Sequence, residues 1–178
     1  MTYPFPKTWW ITPGRVLGGC FPGAPDPADV DGRLRGLLDV GVTSVIYLQE
    51  AAELGGGGKP FTPYDARLVA LGADRGVAVT WARLPTRDLT PPSVTAVRQA
   101  LDILHANDAV TYVHCWGGHG RTGVVAGCWL REQGMTAEEA FEAITEARAH
   151  DKHLSTQPSP QTDAQRARVV GWVKGHGA

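Results

Sequence analysis

Val110-Thr111-Tyr112-Val113-His114-Cys115-Trp116-Gly117-Gly118-His119-Gly120-Arg121-Thr122-Gly123 is the stretch on which the fold turns. Its first half, from Ala109 to Val113, is short and rich in β-branched and aromatic residues, the signature of a buried strand. Beyond Arg121, apolar residues recur at helical spacing (Val124, Val125, Cys128, Trp129), and Gly134 ends the run. The segment between them therefore joins the carboxyl end of a strand to the amino end of a helix. Unpaired N–H groups and the positive end of a helix dipole converge there, which makes the position an anion site before any side chain is considered.

The side chains add chemistry to that site. Cys115 is a nucleophile in a place that favours its thiolate, because a free thiol with a pKa of about 8.5 is lowered at helix N-termini and beside Arg. Arg121, six positions on, offers a planar fork for two phosphate oxygens and keeps its charge at any accessible pH. Gly117, Gly118 and Gly120 allow successive amides to face one oxyanion, with Trp116 and His119 completing the phosphate-binding loop. The hydroxyl of Thr122 is placed to donate to the sulfur and make it a better leaving group. Together these groups are what cleaving a phosphate monoester through a cysteinyl-phosphate requires.

The rest of the chain alternates strands and helices. Strands are expected over 15–20, 44–48, 77–81 and 110–114. Helices are expected over 30–39, 63–75, 91–107, 122–133, 137–149 and 162–174, with 150–160 as a connector. The fold class is α/β, a central parallel-rich sheet of four to five strands flanked by helices, in one domain over 1–178. Asp88 falls between the strand at 77–81 and a helix opened by Thr90 as N-cap and Pro91 in the first turn. In a parallel sheet that loop shares the face that carries Cys115, so Asp88 is the candidate general acid. Asp108 begins the strand that Cys115 ends, about 20 Å away at ~3.3 Å per residue, and Asp102 lies within a helix.

This pattern resembles the signature loop of the protein tyrosine and dual-specificity phosphatase superfamily: His-Cys, five residues, Arg, then Ser or Thr. It is most similar to small microbial dual-specificity-type members. The segments Trp10–Val16 through Phe21-Pro22-Gly23, Leu84–Asp88 and Gln161–Gln165 resemble, in turn, the family's opening strand and turn, its acid-bearing segment and its late water-positioning motif. The resemblance implies Cys115 as nucleophile, Arg121 as phosphate clamp and Asp88 as acid and later base. It also implies that Gln161 steers water and that His114 supports the loop by hydrogen bonds. Trp116 and His119 stand where phosphoinositide-directed relatives carry Lys, which moves the expectation toward phosphoproteins, phosphotyrosine first. A phosphoinositide phosphatase, an RNA 5′-phosphatase and a catalytically silent phosphate-binding module are the alternatives.

Composition bounds the remainder. The chain has 178 residues, 43% hydrophobic and 20% charged, and is long enough for one self-sufficient core. A net charge of −1 gives no broad basic face for nucleic acid or an anionic membrane, and Arg33, Arg35, Arg83, Arg87 and Arg131 read as scattered, solvated charges. No apolar run approaches the ~18 residues of a membrane span, and the first seven residues lack a signal core. Three cysteines argue for a reducing cytoplasm, with no metal and no cofactor expected. Cys20, ending a strand, could approach Cys115 if those strands are neighbours. Gly55–Gly58 reads as a surface connector.

Overall fold

The structure, a computed structural model, describes residues 2–23, 27–55 and 58–175. Five strands form one sheet: β1 (Thr8–Thr12), β2 (Val16–Gly19), β3 (Val42–Tyr47), β4 (Thr80–Arg83) and β5 (Val110–His114). Their order is β1-β2-β5-β3-β4, and only the β1–β2 hairpin is antiparallel. The α/β, parallel-rich fold read from the sequence is the fold observed. The helices are α1 (Pro27–Asp39), α2 (Asp65–Ala73), α3 (Val94–Ala106), α4 (Arg121–Glu132), α5 (Ala137–Arg148), α6 (Lys152–Ser155) and α7 (Asp163–Val170).

Apart from the edge strand β4, the sheet is buried on both faces. Trp9, Ile11, Ile46 and Val113 point into one core, shared with Val97, Leu101, Val125, Trp129 and Ile144 of α3, α4 and α5. Their chain neighbours Trp10, Val45, Tyr47 and Tyr112 point the other way, onto Leu34 and Leu37 of α1 and Leu68 and Leu71 of α2. The central strand β5 has β2 on one side and β3 on the other, with Gly19 and Tyr47 both level with His114. The carboxyl ends of all three strands therefore open onto the start of α4.

Most element boundaries shift by a residue or more from the sequence reading, and four differences stand out. The strand expected at 77–81 lies at Thr80–Arg83, because Val77 N–H closes the end of α2 on the Gly72 carbonyl (2.9 Å). The cap of α3 is Ser93, which accepts from Ala96 N–H (3.0 Å), while Thr90 turns its hydroxyl onto the Arg87 carbonyl (2.7 Å). The stretch 150–160 holds a one-turn helix, α6, capped by Asp151. The last helix stops at Val170 rather than continuing to Lys174. Gly56 and Gly57, in the glycine run, lie outside the described residues.

Candidate active site

Residues 115–120 connect β5 to α4 and lie against the end of β2. Gly118 has φ +75°, and a Cβ there would come within 2.6 Å of the Gly19 carbonyl carbon, so only glycine fits so close an approach. Phe21 N–H donates to the Trp116 carbonyl (2.9 Å), fastening the loop from the β2 side. From the other side, Ser159 Oγ donates to the His119 carbonyl (2.7 Å). Among the described residues, the N–H groups of 116–120 donate to no protein acceptor, which leaves them for an anion at the start of a helix.

Cys115 sits at the floor, 3% exposed, and receives the Thr122 hydroxyl on its sulfur (3.1 Å). The pairing read from the sequence is thus present in the fold. His114 behind it is fully buried. Its Nδ1 lies 3.2 Å from the Cys115 carbonyl, an acceptor only, and its Nε2 lies 2.5 Å from the Tyr64 hydroxyl. The proton is accordingly on Nδ1, and Tyr64, whose pKa burial raises well above 10, donates to Nε2. Burial pushes the His114 pKa down to about 3, so the imidazole is a neutral strut holding the first carbonyl of the loop.

Arg121 is 1% exposed, and every terminal N–H has a partner. Nη1 donates to Glu53 Oε2 (2.5 Å) and to the Thr86 carbonyl (2.8 Å). Nη2 donates to Glu53 Oε1 (2.8 Å) and pairs with Asp88 Oδ1 (2.9 Å). Burial works against its charge, but the hydrogen bonds it donates to Glu53 and the charges of Cys115, Glu53 and Asp88 outweigh it and hold the guanidinium above its ordinary pKa. Its Nε–H alone is buried with no partner among the described residues. An orphaned, buried cationic donor beside a nucleophilic sulfur calls for an acceptor such as a phosphate oxygen.

Sequence reasoning missed Glu53. It follows β3, whose end is level with His114 in β5, so strand order was the only signal that could have found it, and that signal does not choose between Glu50 and Glu53. Asp88 lies where expected, 43% exposed by side chain and facing the pocket. Leu89, next to it, has φ +62°, a conformation rare for such a side chain, and its carbonyl accepts from Thr162 Oγ1 (3.2 Å).

Gln161 lies exposed on the pocket wall. The buried amide of that segment is Gln165, packed against Gly120, where a Cβ would come within 2.8 Å of it. It accepts from the N–H groups of Gln161 and Thr162 (both 3.1 Å) and donates to the Thr90 carbonyl (3.1 Å), tying the Asp88 segment to the loop.

Trp116 is 41% exposed and forms part of the pocket wall, edge-on to Phe61 at 6.0 Å, rather than packing beneath the loop. His119 accepts on Nδ1 from Arg148 (2.7 Å), so its proton is on Nε2; burial first and Arg148 second lower its pKa to about 4. Cys20 and Cys115 follow register partners on adjacent strands and line the same pocket. Arg33, read as a solvated charge, lines it too, as do Gly55 and Lys59. The pocket has a volume of about 770 Å³.

Comparison with known proteins agrees with this geometry. Residues 6–169 match the family described as the Swiss Army Knife protein, DSP-PTPase phosphatase domain. The phosphatidylglycerophosphate phosphatase PTPMT1 of Arabidopsis thaliana is 32% identical over 93% of this chain and 50% of its own length. Its PTPMT2 counterpart is 40% identical over 36% of the chain and 31% of its own length, so the chain spans half or less of these relatives. The fold is shared with Tk-PTP in its active form (TM-score 0.63, 24% identity, 93% and 95% of the two chains). It is shared also with kinase associated phosphatase carrying Ser for its catalytic Cys (0.66, 17%, 95% and 93%). With the family domain matched over most of its length, the chain belongs to the dual-specificity phosphatase group of the protein tyrosine phosphatase superfamily.

Proposed function

We propose that this phosphatase hydrolyses phosphomonoesters through a cysteinyl-phosphate on Cys115, without a metal. The single observation that carries the reading is the Thr122 Oγ1 to Cys115 Sγ hydrogen bond (3.1 Å) inside a loop whose Arg121 keeps one buried N–H unpaired. In the first step the sulfur attacks phosphorus while the loop amides and Arg121 hold the equatorial oxygens. Nε and Nη2 of Arg121 form the fork for two of them, and an oxygen accepting the Nη2 hydrogen bond displaces Asp88. The freed carboxyl, protonated, supplies the leaving oxygen with its proton. In the second step it takes a proton from the attacking water, while Thr122 stabilises the departing thiolate.

For the substrate, the sequence favours phosphotyrosine, and the aromatic wall of Phe61 and Trp116 accommodates an aryl ester. A second reading is favoured by two observations: the relative covering nearly the whole chain is a phosphatidylglycerophosphate phosphatase, and the pocket is lined by Lys7, Arg33 and Lys59 against Asp88 as its one carboxylate among the described residues. We place a phosphomonoester on a small or lipid-borne polyanion ahead of phosphotyrosine.

The test is para-nitrophenyl phosphate hydrolysis over pH 5–8 with EDTA present, followed by a phosphotyrosyl peptide and dihexanoyl phosphatidylglycerophosphate. Cys115→Ser is expected to lower turnover by about 10⁴-fold or more, and Asp88→Asn by about 10²–10⁴-fold with loss of the alkaline limb. Activity that EDTA removes, or that survives Cys115→Ser, would overturn the mechanism. A peptide turned over better than the lipid would restore phosphotyrosine to first place.

A further inference from the structure

The pocket around Cys115 is far larger than a phosphate group, and the loop fills only its floor. The loop brings no second cation of its own, since Trp116 is apolar and His119, with Arg148 donating to its Nδ1, is neutral. Positive charge instead enters from three distant segments: Lys7 ahead of β1, Arg33 on α1 and Lys59 beyond the glycine run. We propose that Lys7, Arg33 and Lys59 form a second anion subsite, which takes a second phosphate group of the same substrate several bonds from the one that Cys115 attacks.

Several of the molecule's cations are neutralised locally. Arg67, Arg75, Arg83, Arg98 and Arg121 each lie within ion-pair distance of a carboxylate. Among the described residues, Lys7, Arg33 and Lys59 lie within that distance of none, although they share one cavity. Asp88, the carboxylate that lines it, is taken by Arg121. Cations gathered in one cavity with no carboxylate paired to their side chains repel one another, and a concave, partly apolar wall strengthens their field toward an incoming anion.

Two of them are also held in place. The Arg33 guanidinium donates to the Gly23 carbonyl (3.1 Å) and lies over the Phe5 ring at 5.6 Å. Lys7 has φ +65°, a left-handed backbone that a long side chain rarely adopts. That conformation is locked from both sides: its N–H donates to Asp151 Oδ2 (2.8 Å), and its carbonyl accepts from Cys20 N–H (3.2 Å). Such strain persists where the surroundings over-determine it, and it gathers at ligand clamps. The fields of Arg33 and Lys7 already reach the floor, where they partly offset the burial that pushes the Cys20 thiol up to about 11. Phe21, Phe61 and Trp116 line the same pocket and touch ring to ring, an apolar wall for the short linker joining two phosphates.

The inference rests on the phosphatase reading and can fail separately from it. The experiment compares α,ω-alkanediol bisphosphates of three to six carbons with the matching alkyl monophosphates, by release of inorganic phosphate. Its readout is the ratio of kcat/KM for bisphosphate to that for monophosphate. The wild-type ratio should exceed about ten at the best chain length and fall by roughly tenfold in Lys7→Gln and in Arg33→Gln, as loss of one charge-assisted contact predicts. Lys59 is exposed, so Lys59→Glu tests the same ratio without disturbing the core, and it too should lower it. Placing dihexanoylglycerol on the distal phosphate identifies the source: a further gain means a lipid diester, and no gain means a free bisphosphate, the subsite standing in either case. A wild-type ratio near one at every length, or a ratio that none of the three substitutions moves, overturns the subsite. Wild-type protein that releases no phosphate from any ester, para-nitrophenyl phosphate included, overturns the phosphatase reading instead.

Discussion

The floor of the pocket and its rim are built in opposite ways. The floor is one contiguous segment, 114–122, in which each reacting group is buried and fixed by a near neighbour: Cys115 by Thr122, His114 by Tyr64, and the loop carbonyls by Phe21 and Ser159. The rim is assembled from residues near 7, 33, 59, 88 and 161, mostly half-buried or exposed, and none is near another in the chain. On the proposed mechanism the nucleophile, its hydroxyl partner and the phosphate clamp lie in one stretch of chain, whereas the groups that would meet the rest of the substrate are spread over the fold. The contrast makes unequal demands on substitution. A change at the floor should strike kcat and stability together, and a change at a rim residue other than the proposed acid Asp88 should strike KM.

Glu53 is the sharpest way to break that division, because it belongs to a distant segment yet serves the floor. Its carboxylate holds both terminal nitrogens of a guanidinium that is 1% exposed. Removing one partner of a buried ion pair costs about 3–5 kcal/mol, since the other charge stays behind. Glu53→Ala should lower the melting temperature clearly and reduce kcat by about 10²-fold, with Glu53→Gln intermediate because it keeps one acceptor. Thermal unfolding and para-nitrophenyl phosphate kinetics check both, and a KM-only effect would move Glu53 to the rim.

His114 gives the next effect, seen in acid. Its pKa falls from about 6.5 in the unfolded chain to about 3 in the folded one, so below 6.5 the unfolded state binds a proton that the native state refuses. The stabilisation from the neutral imidazole is complete above pH 6.5 and is lost as pH falls toward 3, at about 1.4 kcal/mol per pH unit. A melting temperature that drops over this window, and drops less steeply in His114→Asn, is the expected result. An unchanged slope in the variant would remove His114 as the cause.

Thr122→Ala should cost about tenfold in kcat, because a neutral hydrogen bond to the leaving sulfur contributes about 1–1.5 kcal/mol. The loss should fall on the second step, so that phosphorylated Cys115 accumulates and a burst of para-nitrophenol precedes steady turnover. Loss without a burst would assign Thr122 to the first step.

The same division governs what the sequence made legible. The strand at 110–114 was read to the residue because its apolar run is bounded by Asp108 and by the glycine loop, both local signals. Asp88 was found because parallel topology puts every strand-to-helix loop on one face. The strand near 80 was displaced by three residues, since Val77 is as β-prone as Thr80 and only its hydrogen bond to Gly72 removes it from the strand. Gln165 was passed over for Gln161: both are glutamines of one turn, and what separates them is a single close approach to Gly120. Arg33 reads as a solvated charge, and Lys7 as one residue of an undistinguished amino terminus, because nothing within their own segments records that they line the pocket of Cys115.

The smallest effect is expected at Trp116, and it tests the rim where the rim meets the floor. Trp116 belongs to the loop by sequence, yet its ring is 41% exposed and stands edge-on to Phe61 at 6.0 Å. An aromatic pair of this kind contributes about 0.5–1.5 kcal/mol beyond its buried area. Trp116→Ala should therefore raise KM for aryl phosphates by a few fold and leave kcat and the melting temperature close to wild type, with Phe61→Ala giving a similar change. Because the two rings form one wall, the double variant should be only slightly worse than either single one. A fall in kcat in Trp116→Ala would mean that the indole orders the loop after all, and the boundary between floor and rim would then run through Phe61 instead.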